Sequence, residues 1–397
     1  MVDTRPLQDV RVLDLSRVLA GPFCTLQLAD LGAEVVKIEV PRQGDDSRTF
    51  GPFLGTESAY FLSLNRNKKS ITLNLKSEEG REIMKQLIPH FDVLVENFRP
   101  GTMEKLGLGY EELARLNPKL VYAAVSGFGT TGPDTQKPAY DIVVQGRGGI
   151  MSITGEEGGV PTRIGASIGD LAAGLFAAIA ILSALMVVRR EGKGQKIDIA
   201  MLDTQVALLE NAIARYTVTG EVPRPLGNRH PSISPFSSFS ARDGHLIIAA
   251  GNDRLWARLC QVLELPGLVE DERFSDNERR TLNWAELKPL LEAVVQQQTV
   301  EYWLERLEQE NIPCGRIQGV DQVIQDPQIV ARDMIRTLVL KTGEKLSVAG
   351  IPYKFSSTSC EQVELPPTLG EHTEGILREL LDFNPEEVAV LQQKCVI

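Results

Sequence analysis

Asp170 carries the sharpest chemical signal in the sequence. It follows Gly165-Ala166-Ser167-Ile168-Gly169 and immediately precedes Leu171–Val188, eighteen residues without a charge. Asp at that place suits two roles. It is a good helix N-cap, accepting backbone N–H bonds. The same geometry puts a carboxylate on a small-residue turn that a substrate can approach closely, near helix N–H groups that stabilise negative charge. Such a carboxylate becomes a nucleophile where water is excluded. A second cluster is cationic. Asn65–Lys76 (NRNKKSITLNLK) holds Arg66, Lys68, Lys69 and Lys76 with no acid, and Arg99 and Lys105 extend it. It is either a phosphate-holding segment or a solvated edge, and charge alone does not separate the two.

Other motifs are weaker. Gly127-x-Gly129-x-x-Gly132 follows a strand-like segment, as a dinucleotide fingerprint would. That chemistry needs a helix N-terminus directly afterwards. Pro133 and Pro138 in a polar stretch argue for a loop instead. Of the four histidines, His230 alone sits in a loop of binding character, Leu226–Pro231 (LGNRHP). Neither HExxH nor a GxSxG elbow is present, so the expectation is no metal site and no serine nucleophile.

The elements that must position these residues read as α/β. Val10–Leu15 and Glu34–Glu39 are strands flanking a helix from Pro22 to Leu31, which makes a βαβ unit and a parallel sheet. Ser77 opens a helix that Pro89 ends, and strands follow at Val93–Val95 and Leu120–Val125. Residues 1–200 are expected to form one large Rossmann-like domain and residues 201–222 a linker helix, with Asp203–Thr219 as one long helix. A smaller α+β domain is expected over 223–330, with a hairpin at Phe236–Ala250 and a helix from Val300. Residues 331–397 should return to the large domain, with a strand over Lys345–Phe355 and a final helix after His372. The uncharged run from Leu171 reaches transmembrane length. Six Ala, one Gly and one Ser make it a core helix instead.

Composition sets the frame. The 397 residues are 43% hydrophobic and 24% charged, which is ordinary globular usage. A net charge of −11 argues against nucleic-acid binding. Five scattered cysteines without metal or CxxC spacing fit a reducing compartment. The N-terminal stretch lacks an apolar signal core, so a cytoplasmic location without membrane attachment is expected.

Taken together, several stretches resemble family III coenzyme A transferases, the CaiB/BaiF group, over essentially the full length. They are Val12–Pro22 (VLDLSRVLAGP), Leu31–Glu39, Asn65–Lys76, Val95–Gly109 (VENFRPGTMEKLGLG), Ile164–Gly174 (IGASIGDLAAG), Gly192–Met201 and Leu369–Thr373 (LGEHT). Gly44–Pro52 and Leu226–Pro231 look closer to the dicarboxylate enzymes (acetyl-CoA:oxalate, glutarate and succinate–hydroxymethylglutarate types) than to the carnitine type. The resemblance implies an interlocked homodimer, acyl-CoA as substrate, no metal or redox cofactor, and Asp170 as nucleophile. It also implies that Leu19, Ala20, Leu73, Asn74, Leu75, Lys76, Asn97, Phe98, Arg99 and Lys105 line CoA. Lys105 stands where some members have Arg. Tyr140 falls at a substrate-side position. Leu19 replaces a Gln of formyl-CoA:oxalate members, and Val40 replaces a CoA-binding Arg for which Arg42 is the candidate substitute. The glycine-run loop of the formyl-CoA enzymes is missing, and Asn228, Arg229 and His230 are the candidates for its work, a cation there suiting a dicarboxylate. Two rivals share the resemblance. An α-methylacyl-CoA racemase would need His at Tyr140, because a phenol is a poor acid–base partner near neutrality. A non-catalytic CoA-binding subunit would not need Asp170.

Overall fold

The computed structural model describes residues 4–360 and 363–397; Met1–Asp3, part of the N-terminal stretch read above, lie outside the described residues. The main elements, in chain order, begin with β1 (Arg11–Asp14), α1 (Ala20–Asp30), β2 (Glu34–Glu39), β3 (Lys68–Thr72), α2 (Glu78–Leu87), β4 (Val93–Glu96) and β5 (Val121–Ser126). Then come α3 (Asp141–Arg147), α4 (Ile168–Glu191) and β6 (Lys196–Ala200). The six strands form one parallel sheet in the order β3-β2-β1-β4-β5-β6. Its four inner strands, β2, β1, β4 and β5, are buried on both faces and rich in apolar residues, as a parallel sheet covered by helices requires. The chain runs outward from β1 in one direction through β2 and β3. It then resumes on the other side at β4, so a topological switch lies between β1 and β4.

Two compact units divide the chain. The first comprises residues 1–150, 163–214 and 328–397, and the second 151–162 and 215–327. The expected 1–200 domain is therefore interrupted, because residues 151–162 leave it. The expected long helix is also broken: Met201–Ala207 (α5) and Ala212–Thr219 (α6) are separate, with Glu210 between them at φ +55.

Within the first unit, α4 is apolar all round because much of it is interior. Ala173, Ala177 and Ile181 are fully buried with Cys24 and Leu28 of α1 and Val95 and Val121 of the sheet. Small residues let it approach closely: a methyl at Gly174 would stand 2.7 Å from the Ala20 carbonyl oxygen. On the far edge of the sheet, the open side of β3 is covered by 369–373. The His372 N–H donates to the Ser70 carbonyl (2.9 Å), and His372 Nδ1 accepts from the Ser70 N–H (3.2 Å). Thr373 Oγ1 accepts from the Thr72 N–H (3.0 Å). Side chains thus occupy donors that an edge strand would otherwise present to another chain. The expected strand 345–355 is shorter, Lys345–Ala349, and pairs with Ile335–Val339 as a hairpin. The final helix is two, Thr373–Leu381 and Pro385–Gln393, parted by Asp382 at φ +58.

In the second unit, strands Phe236–Ala241 (β7) and Gly244–Ala249 (β8) form the expected hairpin, joined by Cys314–Arg316 (β9). Helices including Trp284–Val295 (α7) and Val300–Gln309 (α8) share a core with it through Trp256, Leu287, Trp303 and Leu307.

Candidate active site

Asp170 is the third residue of α4, in its first turn, so of the two roles its position allowed it does not fill that of N-cap. Ser167 holds that place, and its side chain makes no capping bond. The cap comes from a neighbouring helix. Asp141, at the start of α3, accepts the Gly169 N–H at 2.8 Å and an amide N–H of Gln145 at 2.8 Å. Glycine is needed for that approach, since a methyl at Gly169 would lie 2.7 Å from Val144 Cγ2 and 3.0 Å from Asp141 Oδ1. Asp141 therefore relieves Asp170 of capping. The half-buried Asp170 carboxylate has no hydrogen bond or ion pair among the described residues. Burial first, and the Asp141 carboxylate second, push its pKa from 3.8 up to about 7.

Position follows from helix geometry. Residues four apart share a helix face, so Asp170 lies one turn, roughly 6 Å, N-terminal to Gly174 on the side that meets the start of α1. The first turn of α1 has no side-chain cap, and Pro22 contributes no N–H. The N-terminus of α1 and that of α4, where Asp141 already takes the Gly169 N–H, give this region the positive ends of two helices. Tyr60 belongs here too. Burial, and then the carboxylates of Asp170, Asp45 and Asp141, push its phenol up to about 12, so it stays a neutral donor. Nothing in Glu57-Ser58-Ala59-Tyr60 distinguishes that tyrosine in the sequence.

A cleft of about 640 Å³ opens at the carboxyl ends of the central strands. Switch points of open α/β sheets are where such crevices form. Of the residues expected at CoA, Arg42, Leu73, Asn74, Leu75, Lys76 and Phe98 line it together. Asn97 stands at its edge and fixes Arg17, accepting its N–H (2.9 Å) and donating to its carbonyl (2.8 Å). Leu19 and Ala20 are buried and, like the exposed Arg99 and Lys105, are outside the lining. Arg17 and Cys395 also line the cleft, and neither was read from the sequence. A cation just past the central strand was a usable signal for Arg17. For Cys395 there was none.

The cationic segment is corrected on three counts. Arg66 is buried and held side-on by Asp30 (3.0 and 2.7 Å). Lys68 is fully buried against Asp14 (3.1 Å), the Pro22 carbonyl (3.0 Å) and Asn65 (2.9 Å). Lys69 pairs with Glu34 (2.5 Å). Lys76 alone of the four reaches the cleft. The absence of acids nearby in sequence hid acids that β1, α1 and β2 bring up in space.

Beneath the cleft these charges form a network. Lys37 donates to the Ser16 carbonyl (2.6 Å) and pairs with Asp45 (2.9 Å). Asp45 accepts the Val18 N–H (3.1 Å), and Glu39 holds Arg48 through two bonds of 2.7 Å. Asp14 accepts from Ser16 and from Thr25 Oγ1 (2.6 Å). Burial opposes its charge, but Lys37 and Lys68 hold its pKa at about 2. Burial likewise pushes Lys68 down to about 8. The network holds Val18 at φ +67, a strained conformation for a β-branched residue, at the bend leading into α1.

The remaining expected residues lie in two places. Tyr140 is 78% exposed at the start of α3. Asn228, Arg229 and His230 are in the second unit, on a loop tied down at several points. Gly227 N–H donates to the Gly155 carbonyl (2.9 Å), Asn228 to Ser238 Oγ (2.9 Å), and His230 N–H to the Phe236 carbonyl (3.1 Å). The Gly127–Gly132 loop runs on without a helix until Asp141.

Comparisons with known proteins point one way. Residues 7–373 match the family model described as CoA-transferase family III. The succinyl-CoA:glutarate CoA-transferase of Homo sapiens is 39% identical over 398 residues, covering 100% of this chain and 91% of that one. The acetyl-CoA:oxalate CoA-transferase of Acetobacter aceti is 45% identical, covering 88% of this chain and 89% of that one. A crystal structure of a CAIB/BAIF family protein from Brucella suis superposes with a TM-score of 0.84 at 40% identity, covering 95% of this chain and 99% of that one.

Proposed function

Given that the chain belongs to CoA-transferase family III, and so is a CoA-transferase with acyl-CoA as a substrate, we propose that it moves CoA from an acyl-CoA donor to a small dicarboxylate through covalent intermediates on Asp170. The observation that carries this is the unpartnered, half-buried Asp170 carboxylate in the first turn of α4, a helix whose Gly174, one turn further on, packs against the start of α1.

In the proposed reaction, an Asp170 carboxylate oxygen attacks the thioester carbonyl carbon. The C–S bond breaks, CoA leaves as thiolate, and a mixed anhydride remains. The thiolate attacks Asp170 Cγ, releasing the donor carboxylate and leaving an aspartyl-CoA thioester. The acceptor carboxylate then attacks Cγ and expels the thiolate. The thiolate returns to the acceptor acyl carbon, giving the new acyl-CoA and free Asp170. Each step exchanges acyl bonds of comparable reactivity, so positioning and oxyanion donors carry the catalysis. Helix N–H groups and the neutral Tyr60 phenol are suited to the oxyanion.

The CoA nucleotide is assigned to the cleft at the switch point. Arg42 and Lys76 have no carboxylate partner among the described residues, whereas Lys37 and Arg17 are engaged by Asp45 and Asp46. Those two cations without a carboxylate suit phosphates in a chain of net −11. Relatives named for glutarate and oxalate support a dicarboxylate acceptor, with Tyr140, Asn228, Arg229 and His230 on the acceptor side. The proposed assembly is an interlocked homodimer. Five free cysteines suit a reducing compartment such as the cytoplasm.

Incubation with succinyl-CoA, acetyl-CoA or formyl-CoA followed by hydroxylamine should convert Asp170 to its hydroxamate, read by peptide mass spectrometry. An Asp170→Ala variant should form no adduct and transfer no CoA to oxalate, succinate, glutarate, hydroxymethylglutarate or mesaconate. Full activity in that variant overturns the assignment.

A further inference from the structure

Glu96 is the last residue of β4, where the chain leaves the sheet beside the switch point. It is buried, and no ion pair reaches it among the described residues. Lys196, the cation whose field favours its charge, is itself paired with Glu104 (3.7 Å). An acid in that setting is costly unless its oxygens are engaged. Both oxygens are engaged here. Oε2 accepts the Phe98 N–H at 2.7 Å, and Oε1 accepts from the buried Tyr122 hydroxyl of β5 at 3.3 Å. Burial, the largest effect, pushes the Glu96 pKa from 4.5 up to about 7. Either protonation state leaves one oxygen to accept from Phe98, because the carboxyl proton can be given to the Tyr122 oxygen.

Phe98, Thr102 and Leu106 line the cleft together, and Phe98 is the first residue after β4 to do so. Within a strand the ladder satisfies each N–H, but a residue turning away from the sheet needs another acceptor. Glu96 supplies it from two residues back and so fixes the backbone of the turn. Asn97, inside that turn, holds the Arg17 N–H and carbonyl, and Arg17 Cζ lies 5.9 Å from the centroid of Phe98. Arg17 follows β1 and Phe98 follows β4, so one carboxyl braces the chain on both sides of the switch point. An apolar side chain would bury there at less cost but would leave the Phe98 N–H without its partner. We propose that Glu96 is a positioning residue for acyl-CoA: by accepting the Phe98 N–H it sets the turn that brings Phe98 to the cleft and, through Asn97, holds Arg17 beside it. The identity of the ligand rests on the assignment of CoA to this cleft made above.

The test is isothermal titration of the full-length protein with CoA, alongside turnover at varied acyl-CoA. Glu96→Met is unbranched like Glu96→Gln but offers Phe98 only a weak sulfur acceptor. It should weaken CoA binding about tenfold and raise the KM for acyl-CoA by a similar factor, with kcat within about twofold of the parent. Glu96→Leu, which also lacks an acceptor, takes its place should that variant fail to fold. Glu96→Gln keeps an oxygen for Phe98 and an amide N–H for the Tyr122 oxygen, and should restore CoA affinity to within about twofold of the parent. Tyr122→Phe removes the other bond to Glu96, so a role in stability alone would show there equally; its CoA affinity should also stay within about twofold. Affinity unmoved in the variant without an acceptor, or lowered as far in Glu96→Gln or in Tyr122→Phe, overturns the inference. Lys76→Met separates this from the cleft assignment, since Lys76 lines the cleft apart from the Glu96 bonds. Affinity lowered by Lys76→Met but not by loss of the Glu96 acceptor strikes the inference alone. Affinity unmoved by both strikes the assignment of CoA to the cleft as well.

Discussion

Asp170 is useful because other residues do its structural work. A first-turn carboxylate usually spends itself on backbone N–H groups; here Asp141 performs that capping from another helix. The arrangement sets a pH dependence. In the proposed reaction only ionised Asp170 attacks, and its pKa is raised to about 7, so kcat/KM for acyl-CoA should rise with pH through neutrality and level off above it. Burial is the larger cause and Asp141 the smaller. Asp141→Asn keeps an oxygen for the Gly169 N–H, removes the like charge, and frees Arg163, which stands 3.6 Å away. The acid limb of the rate profile should then move to lower pH by on the order of one unit. A limb that stays in place or moves upward contradicts this account.

At the scale of elements, the parallel sheet places its ionic network below the loops at the switch point and thereby shapes the cleft. Lys68→Met leaves Asp14 buried with one ammonium fewer, and breaking such a pair costs about 3–5 kcal/mol. Urea unfolding at neutral pH should show that loss, and the gap from the parent should narrow at acid pH as Asp14 takes up a proton. A cost below about 1 kcal/mol would mean that Lys68 is not holding the network. The LGEHT segment acts on the same sheet from its edge. Burial keeps His372 below its ordinary pKa, so a neutral ring accepts the Ser70 N–H. Much of this level was legible. Glu34–Glu39 alternates little and is bounded by Gly32 and Pro41, and the strand falls on those residues. Ser77 with Glu78 and Glu79 gave a helix start that the structure keeps. The break between α5 and α6 was not legible, because no Gly or Pro marks Glu210. The fate of Lys68 was hidden as well, since its partners Asp14 and Pro22 lie far off in sequence. Asp170 could be singled out from its neighbours' small size, but not its relief from capping, which depends on Asp141 across a helix contact.

For the whole molecule, α4 raises a question of cover. It is long and apolar enough to cross a membrane by length and composition alone. Its inner face is core, yet Leu175, Phe176, Ile179 and Met186 are exposed. A row of large apolar side chains in water marks an interface. The proposed occupant is a second copy of the chain, as in the assembly set out above. Light scattering after size-exclusion chromatography should give a dimer for the parent protein and a monomer or aggregate for Ile179→Glu. A dimer unaffected by Ile179→Glu, or a parent that elutes as a monomer, removes the second copy from that face.

One wall of the cleft at the switch point is late to arrive. Arg42 reaches Cys395 Sγ at 3.1 Å across 353 residues of sequence, and the Asn74 N–H donates to the Val396 carbonyl at 2.7 Å. The strands that support the cleft, within residues 11–200, are synthesised early, and the side bearing Cys395 leaves the ribosome long afterwards. Closing so long a loop adds only modestly to the equilibrium cost, because that cost grows with the logarithm of length. Its effect is on order in time: domains fold as they emerge, N-terminal parts first. Sheet and cleft belong to one compact unit, so a nascent chain can complete the cleft only after residues 395 and 396 have emerged, and whatever that cleft holds must wait for them.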